Sequence, residues 1–234
     1  MKRLIRDISS VLILSGLMLV ADAVVTLVWQ EPVTAVVALI RHTQIDQRYL
    51  TQRGSPLTRV DHAALSPLRR SQQRIAFLAR REAREVGIGD AIGRIEIPKI
   101  GVSFEIIQGT DELSLEKGPG HYPATAFPGL GQTVAIAGHR TTYLAPFRHI
   151  DALRPGDRIV LQMPYGRFTY QVQWHIIVFP TAVWVTRDVG YERLVLSACN
   201  PLYSAAQRII VFARLRGVVP LGAARTAGAP MRGP

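Results

Sequence analysis

The decapeptide Arg167–Ile176, RFTYQVQWHI, decides the fold. Phe168, Tyr170, Val172, Trp174 and Ile176 alternate with Arg167, Thr169, Gln171, Gln173 and His175. A period of two held this long describes a long β-strand with one apolar and one wet face. Met163-Pro164-Tyr165-Gly166, just before it, is a turn leading back to an apolar run at Arg158–Met163. Further β-prone runs lie to either side, with Gly and Pro between them. They are Arg94–Ile97, Val102–Ile107 and Thr133–Ala137 before the decapeptide, and Leu194–Ala198 and Arg208–Leu215 after it. At least seven short strands within residues 93–216 predict a small, closed all-β barrel.

The flanks of this barrel have a different texture. Lys2, Arg3 and Arg6 precede an apolar run from Ile8 to Trp29, about 22 residues, long enough to cross a bilayer as a helix. Basic residues on its N-terminal side predict a cytoplasmic N-terminus and an exported remainder. Asp22 inside the run costs roughly 2.5–3.5 kcal/mol at mid-membrane, and less near the outer end. Ala21-Asp22-Ala23 also has the small-x-small form of a leader-cleavage site. The run continues through Val24–Trp29, which a cleaved leader does not need, so residues 1–30 are expected to be an uncleaved, single-pass signal anchor. Residues 31–92 read as an extracellular, partly helical stalk. Ser66-Pro67 has the form of an N-cap and first helical residue. Leu68, Ile75, Leu78 and Val86 follow at roughly helical spacing as far as Gly87. Residues 217–234, composed mainly of Gly, Pro, Ala and Arg without pattern, are expected to form a disordered tail.

The 234 residues suffice for one full-sized core plus accessory segments. The net charge of +11 is spread along the chain, with no basic stripe or recognisable module of the kind nucleic-acid binding needs. Attraction to anionic lipid or an anionic envelope polymer accounts for the charge equally well. A single cysteine excludes an internal disulfide framework and a CxxC metal site. It leaves an inert core thiol or a nucleophile.

That cysteine, Cys199, lies in Arg193–Arg216, RLVLSACNPLYSAAQRIIVFARLR, at the tip of a strand that Pro201 stops. A nucleophilic thiol needs a base or cation close in space. Of six histidines, His42 and His62 fall in the stalk, His175 on the wet face of the long strand, and His149 in a surface turn. His121 sits in the tight turn Gly118-Pro119-Gly120-His121-Tyr122-Pro123. His139 stands at the lip of the strand Thr133–Ala137, ahead of a long loop. Placement favours His139 without eliminating His121. Arg208, opening the next strand, is either an ordinary surface cation or a guanidinium that holds a developing oxyanion.

Ala137-Gly138-His139-Arg140, Leu196-Ser197-Ala198-Cys199-Asn200-Pro201 and Arg208, in that order, resemble the sortases. Ile97-Pro98-Lys99-Ile100-Gly101, Gly118-Pro119-Gly120-His121-Tyr122 and Leu153-Arg154-Pro155-Gly156-Asp157 also stand in family order, so the resemblance covers residues 93–216. The run Gly138–Phe147 is particularly similar to class E sortases of actinobacteria. The resemblance implies a membrane-anchored cysteine transpeptidase on an eight-stranded barrel with short helices and no cofactor. Its partners would be exported proteins bearing a C-terminal LAxTG- or LPxTG-like sorting signal, cut between Thr and Gly, and a cell-wall precursor amine as acceptor. It implies Cys199 as nucleophile, His139 as acid and base, and Arg208 as oxyanion and substrate holder. It also implies Tyr143 as a substrate contact associated with Ala at the second signal position, and Trp184, in the loop Phe179–Tyr191, as another.

Two positions depart from the family. Ala198 stands where Thr is common before the cysteine, and Asn200 where relatives often show His. No acidic cluster resembles the calcium site of some class A members, so metal independence is expected. Two other readings remain at this stage. One is a pilus-polymerising sortase that uses a pilin lysine as nucleophile. The other, of a different class, is a non-catalytic anchored β-barrel that binds envelope components, with the thiol buried and inert.

Overall fold

The computed structural model describes residues 2–28 and 56–225. The expectations for Trp29 and His42, for the first part of the stalk and for residues 226–234 lie outside them.

Helix α1 spans Lys2–Val28. Its segment Arg6–Val24, 19 residues with mean hydropathy 1.8, is apolar and long enough to span a membrane, and none of it packs inside the protein. Short helix α2, Arg59–Leu65, is opened by a capping box in which Thr58 and Asp61 exchange hydrogen bonds. Helix α3 follows at Ser71–Glu85. Ser66 is the C-cap of α2, so Ser66-Pro67 ends one helix instead of starting the next. A proline just past a C-cap stops a helix as effectively as one at the first position starts it.

Eight strands follow: β1 Ala91–Ile97, β2 Val102–Gln108, β3 Gly120–His121, β4 Thr133–Ala137, β5 Arg158–Met163, β6 Gly166–Val178, β7 Arg193–Asn200 and β8 Gln207–Pro220. They close into a barrel in the order β1-β2-β3-β4-β7-β8-β6-β5. The one further helix among the described residues, α4, covers Glu112–Lys117 between β2 and β3. The eighth strand absent from the seven read in the sequence is β3. It has only two residues, parallel to β2 and antiparallel to β4, too short to carry a periodic signal.

The Arg167–Ile176 strand forms as expected, joined to β5 by the two-residue turn Pro164-Tyr165. Its alternation serves two cores. Phe168, Tyr170 and Val172 are buried inside the barrel. A bulge between Val172 and Trp174 then exchanges the faces. Beyond it Ile176 and Val178 join an outer cluster of Ala135, Val185, Val195, Ile210 and Phe212. The Trp174 ring lies 4.2 Å from that of Phe212 on the same side.

The expected stalk is part of the domain from residue 56 onward. Leu68, Ile75, Leu78 and Val86, the stripe read from the sequence, all pack against the barrel core. The Arg74 guanidinium donates to the carbonyls of Leu65 and Ala223, tying α2, α3 and the C-terminal turn together. The tail expected from residue 217 is corrected in the same way. Strand β8 continues to Pro220, because Gly217–Pro220 pair with Gly166–Thr169 of the long β6, and Ala224 is buried beyond it.

The docked stripe has a measurable consequence. Ile75→Ala should lower unfolding free energy by about 2–5 kcal/mol, the cost of emptying a buried site. A chain trimmed to residues 93–216 should melt well below one spanning 56–225. Equal melting temperatures would mean that α3 contributes no stability.

Candidate active site

Three strand ends meet at one rim of the barrel. Strand β4 runs parallel to β7 with Ala137 opposite Ser197, and the Gly138 N–H donates to the Ser197 carbonyl at 3.0 Å. That carries His139 alongside Cys199. Across the other edge of β7, Cys199 pairs directly with Arg208 of β8. In β7, Leu194, Leu196 and Ala198 face the interior, whereas Val195 faces the outer cluster. By the same alternation Cys199 and Arg208 face outward, together with Ile210 and Phe212. Cys199 and Arg208 thus face the same side of β7 and β8 as a direct pair, and His139 follows the end of β4, two residues past the Ala137–Ser197 pair.

The thiol is free and half-buried, which is not the position of a core cysteine. Ala198, the departure beside it, points into the apolar interior and is 3% exposed. A hydroxyl there would not reach the thiol's face.

His139 is also half-buried, and its Nε2 is buried with no hydrogen-bond partner. Burial pulls its pKa below the usual histidine value, while the carboxylates of Glu116 and Glu112 on α4 pull the other way. The ring sits 5.2 Å from that of Tyr143, whose hydroxyl donates to Glu116 Oε1 at 2.9 Å. Tyr143, Leu144 and Ala145 are all left-handed, with φ of 50°, 63° and 42°. Such backbone is strained for residues with a Cβ, and strain of this kind concentrates at functional loops. The loop is fixed at its base. The Phe147 N–H donates to the His139 carbonyl at 2.9 Å, and Gly138 leaves room for the Phe147 ring, which a Cβ would meet at 2.5 Å.

The guanidinium of Arg208 is half-buried, and its Nη1 donates to the carbonyls of Ala205 and Gln207, each at 2.9 Å. It makes no ion pair among the described residues. Trp184 lies in the 3-10 turn Val183–Thr186 and is 46% exposed. Its neighbour Val185 anchors the turn in the outer cluster, so Trp184 is not a core residue.

His121, the alternative base, is fully buried away from the thiol. Its Nδ1 lies 2.8 Å from Gln108 Oε1, and its Nε2 lies 3.0 Å from the Ala126 carbonyl and 3.2 Å from Thr125 Oγ1. Burial lowers its pKa to about 4. With both ring nitrogens committed, it is a structural histidine. His149 and His175 are exposed, as expected for surface positions. Among the described residues no group of three or more His, Cys, Asp or Glu side chains is arranged to hold a metal ion. One buried residue at the rim went unread in the sequence. Arg140, 4% exposed, reaches from the residue after His139 to the carbonyl of Cys199. A charged residue directly following an apolar strand and its glycine was the available signal.

The sequence matches the sortase domain family over residues 95–216. Sortase D of Bacillus subtilis (strain 168) is 35% identical over 130 residues, covering 54% of this chain and 64% of that protein. Sortase SrtE1 of Streptomyces coelicolor is 30% identical over 143 residues, covering 54% of this chain and 41% of that protein. The chain therefore spans less than two thirds of the length of either relative. The solved structure of sortase E from Streptomyces avermitilis superposes with a TM-score of 0.54 at 33% identity, covering 62% of this chain and 98% of that one.

His121 makes folding stability pH-dependent. Its folded pKa lies below the ordinary 6.5, so the unfolded chain binds more protons between about 4 and 6.5, and stability falls as pH falls through that window. The full effect is ~3 kcal/mol. Denaturant titrations across the window should show this loss in the native protein and a flatter profile in His121→Gln.

Proposed function

This chain belongs to the sortase family, a family of cysteine transpeptidases, and on that premise we propose that it is a class E-like sortase anchored in the cell membrane by α1. In this reading the N-terminus is cytoplasmic and the barrel extracellular, facing exported proteins that carry a C-terminal LAxTG- or LPxTG-like signal. The observation that supports it is the direct pairing of Cys199 with Arg208 on β7 and β8, beside the end of β4 from which His139 follows.

The chemistry follows from that placement. Burial favours neutral imidazole in His139, a form able to accept the thiol proton through its unpartnered Nε2. The Cys199 sulfur attacks the Thr carbonyl of the signal, and the C–S bond forms as the carbonyl oxygen takes up negative charge. Arg208, held by carbonyls and neutralised by no carboxylate among the described residues, offers its remaining N–H donors to that oxygen. The Thr–Gly C–N bond then breaks, with His139 returning its proton to the leaving amine, and a thioester remains on Cys199. A cell-wall precursor amine attacks the thioester, His139 takes the amine proton, and the sulfur leaves. No metal or cofactor takes part in this scheme.

Tyr143 and Trp184 are the proposed signal contacts. The ring of Tyr143 lies beside His139, and its hydroxyl is pinned by Glu116, which presents a fixed surface to the incoming signal. Trp184 stands proud of the loop that covers the outer cluster. The half-buried free thiol speaks against a scaffold whose thiol is buried and inert.

Mass spectrometry of the protein with LAxTG and LPxTG peptides should show a thioacyl adduct on Cys199 and none in Cys199→Ala. His139→Ala and Arg208→Ala should each lower kcat/KM by roughly 10²–10⁴-fold. Turnover in chelator should be unchanged, and loss reversed by calcium would contradict the scheme. A cell-wall amine should serve as acceptor, whereas preference for a pilin lysine would indicate a polymerase.

A further inference from the structure

A second set of side chains lies behind the three candidate residues. Each is the sequence neighbour of one of them: Arg140 follows His139, Asn200 follows Cys199, and Gln207 precedes Arg208. Consecutive residues of a strand face opposite sides, so Asn200 and Gln207 lie on the other face of β7 and β8 from the thiol, and Arg140 reaches them from beyond the end of β4. It is continuously hydrogen-bonded. Arg140 Nη1 donates to Asn200 Oδ1 at 3.1 Å and to the Cys199 carbonyl at 3.3 Å. Asn200 Nδ2 donates to Gln207 Oε1 at 3.2 Å. The rest of the guanidinium is used as well. Nε and Nη2 donate to the Arg148 carbonyl, and Nη2 pairs with Asp151 at 3.1 Å.

We propose that Arg140, Asn200 and Gln207 form a positioning network that fixes the separation of His139, Cys199 and Arg208. The inference rests on the roles proposed above for those three residues. Strand pairing alone joins β7 to β8 firmly, but β4 ends at Ala137, and His139 lies beyond it. Past the Gly138–Ser197 hydrogen bond, Arg140 is the side chain that joins the His139 segment to the end of β7. Its planar fork reaches acceptors in several directions at once, which a lysine ammonium on a single stem does not reproduce. As a cation 4% exposed, it stays in place only while those acceptors are met. Asn200 gains a role here. Its amide offers an acceptor to Arg140 and a donor to Gln207 at once, so the neutral side chain in this family-variable position completes the link.

In this proposal the three act as positioning residues, so their effect is read through the residues they place. The test uses the full chain in detergent, with an LAxTG peptide for turnover and iodoacetamide for the pH profile of Cys199 alkylation. Arg140→Lys and Asn200→Ala should each lower kcat about 10- to 100-fold while KM changes by less than about twofold, the signature of lost alignment. Their alkylation profiles should move onto that of His139→Ala. The double variant should lose no more than the worse single, because groups acting as one unit are non-additive. Wild-type kcat and a wild-type alkylation profile in folded variants would overturn the network, as would a raised KM with kcat unchanged. If Arg140→Lys does not fold, Asn200→Ala and the rim variant Gln207→Ala carry the same comparison. Should the unaltered protein form no acyl-enzyme, the proposed function falls, and the alkylation profiles alone decide the network.

Discussion

The parallel pairing of β4 with β7 is the constraint on which the rest of the rim depends. A parallel pair cannot be closed by a short turn, so the chain between β4 and β7 must travel. It does so through β5, β6 and two long connections, Gly138–Asp157 and Phe179–Glu192. The first of those connections begins with Gly138 and His139, and the second carries Trp184. The pairing therefore does two things at once: it brings the end of β4, from which His139 follows, beside the Cys199 end of β7, and it requires the two long connections. The antiparallel partner β8 adds Arg208 in direct register.

Two histidines show how strongly location sets chemistry. His121 and His139 both follow a glycine near the end of a strand, and both are pushed towards the neutral form by burial. His121 has partners at both ring nitrogens, which spends its proton-transfer capacity on structure. His139 keeps a buried nitrogen without a partner and has two carboxylates close enough to oppose the effect of burial. The first is fixed. The second is available.

Much of this was legible in the residues, and the reasons for the exceptions are physical. Alternation announced β6, and the apolar runs announced six other strands, because period two is imposed locally by the backbone. Strand β3 was invisible because two residues carry no period. The end of β8 was misjudged because Gly217–Pro220 are held by the length of a partner strand, β6, and not by their own composition. The apolar stripe of α3 was visible, but its docking surface was not, since sequence shows a face and not what covers it. The choice between His121 and His139 turned on burial, a property of the assembled barrel. Cys199 and Arg208 were readable as neighbours because a hairpin-like connection joins their strands. The link from Arg140 to Cys199 was not, because the two are brought together only by the β4–β7 crossover.

The bulge in β6 carries one more implication. Without it, Phe168, Tyr170, Val172, Trp174, Ile176 and Val178 would all face the same way, and one core would have to satisfy them all. With it, the lower half of the strand answers to the barrel interior and the upper half to the outer cluster beneath residues 179–192. Residues 179–192 can therefore change in length and aromatic content by repacking against the outer cluster, without touching the barrel interior. The bulge separates the packing of the barrel interior from the packing beneath residues 179–192, so that each can vary without disturbing the other.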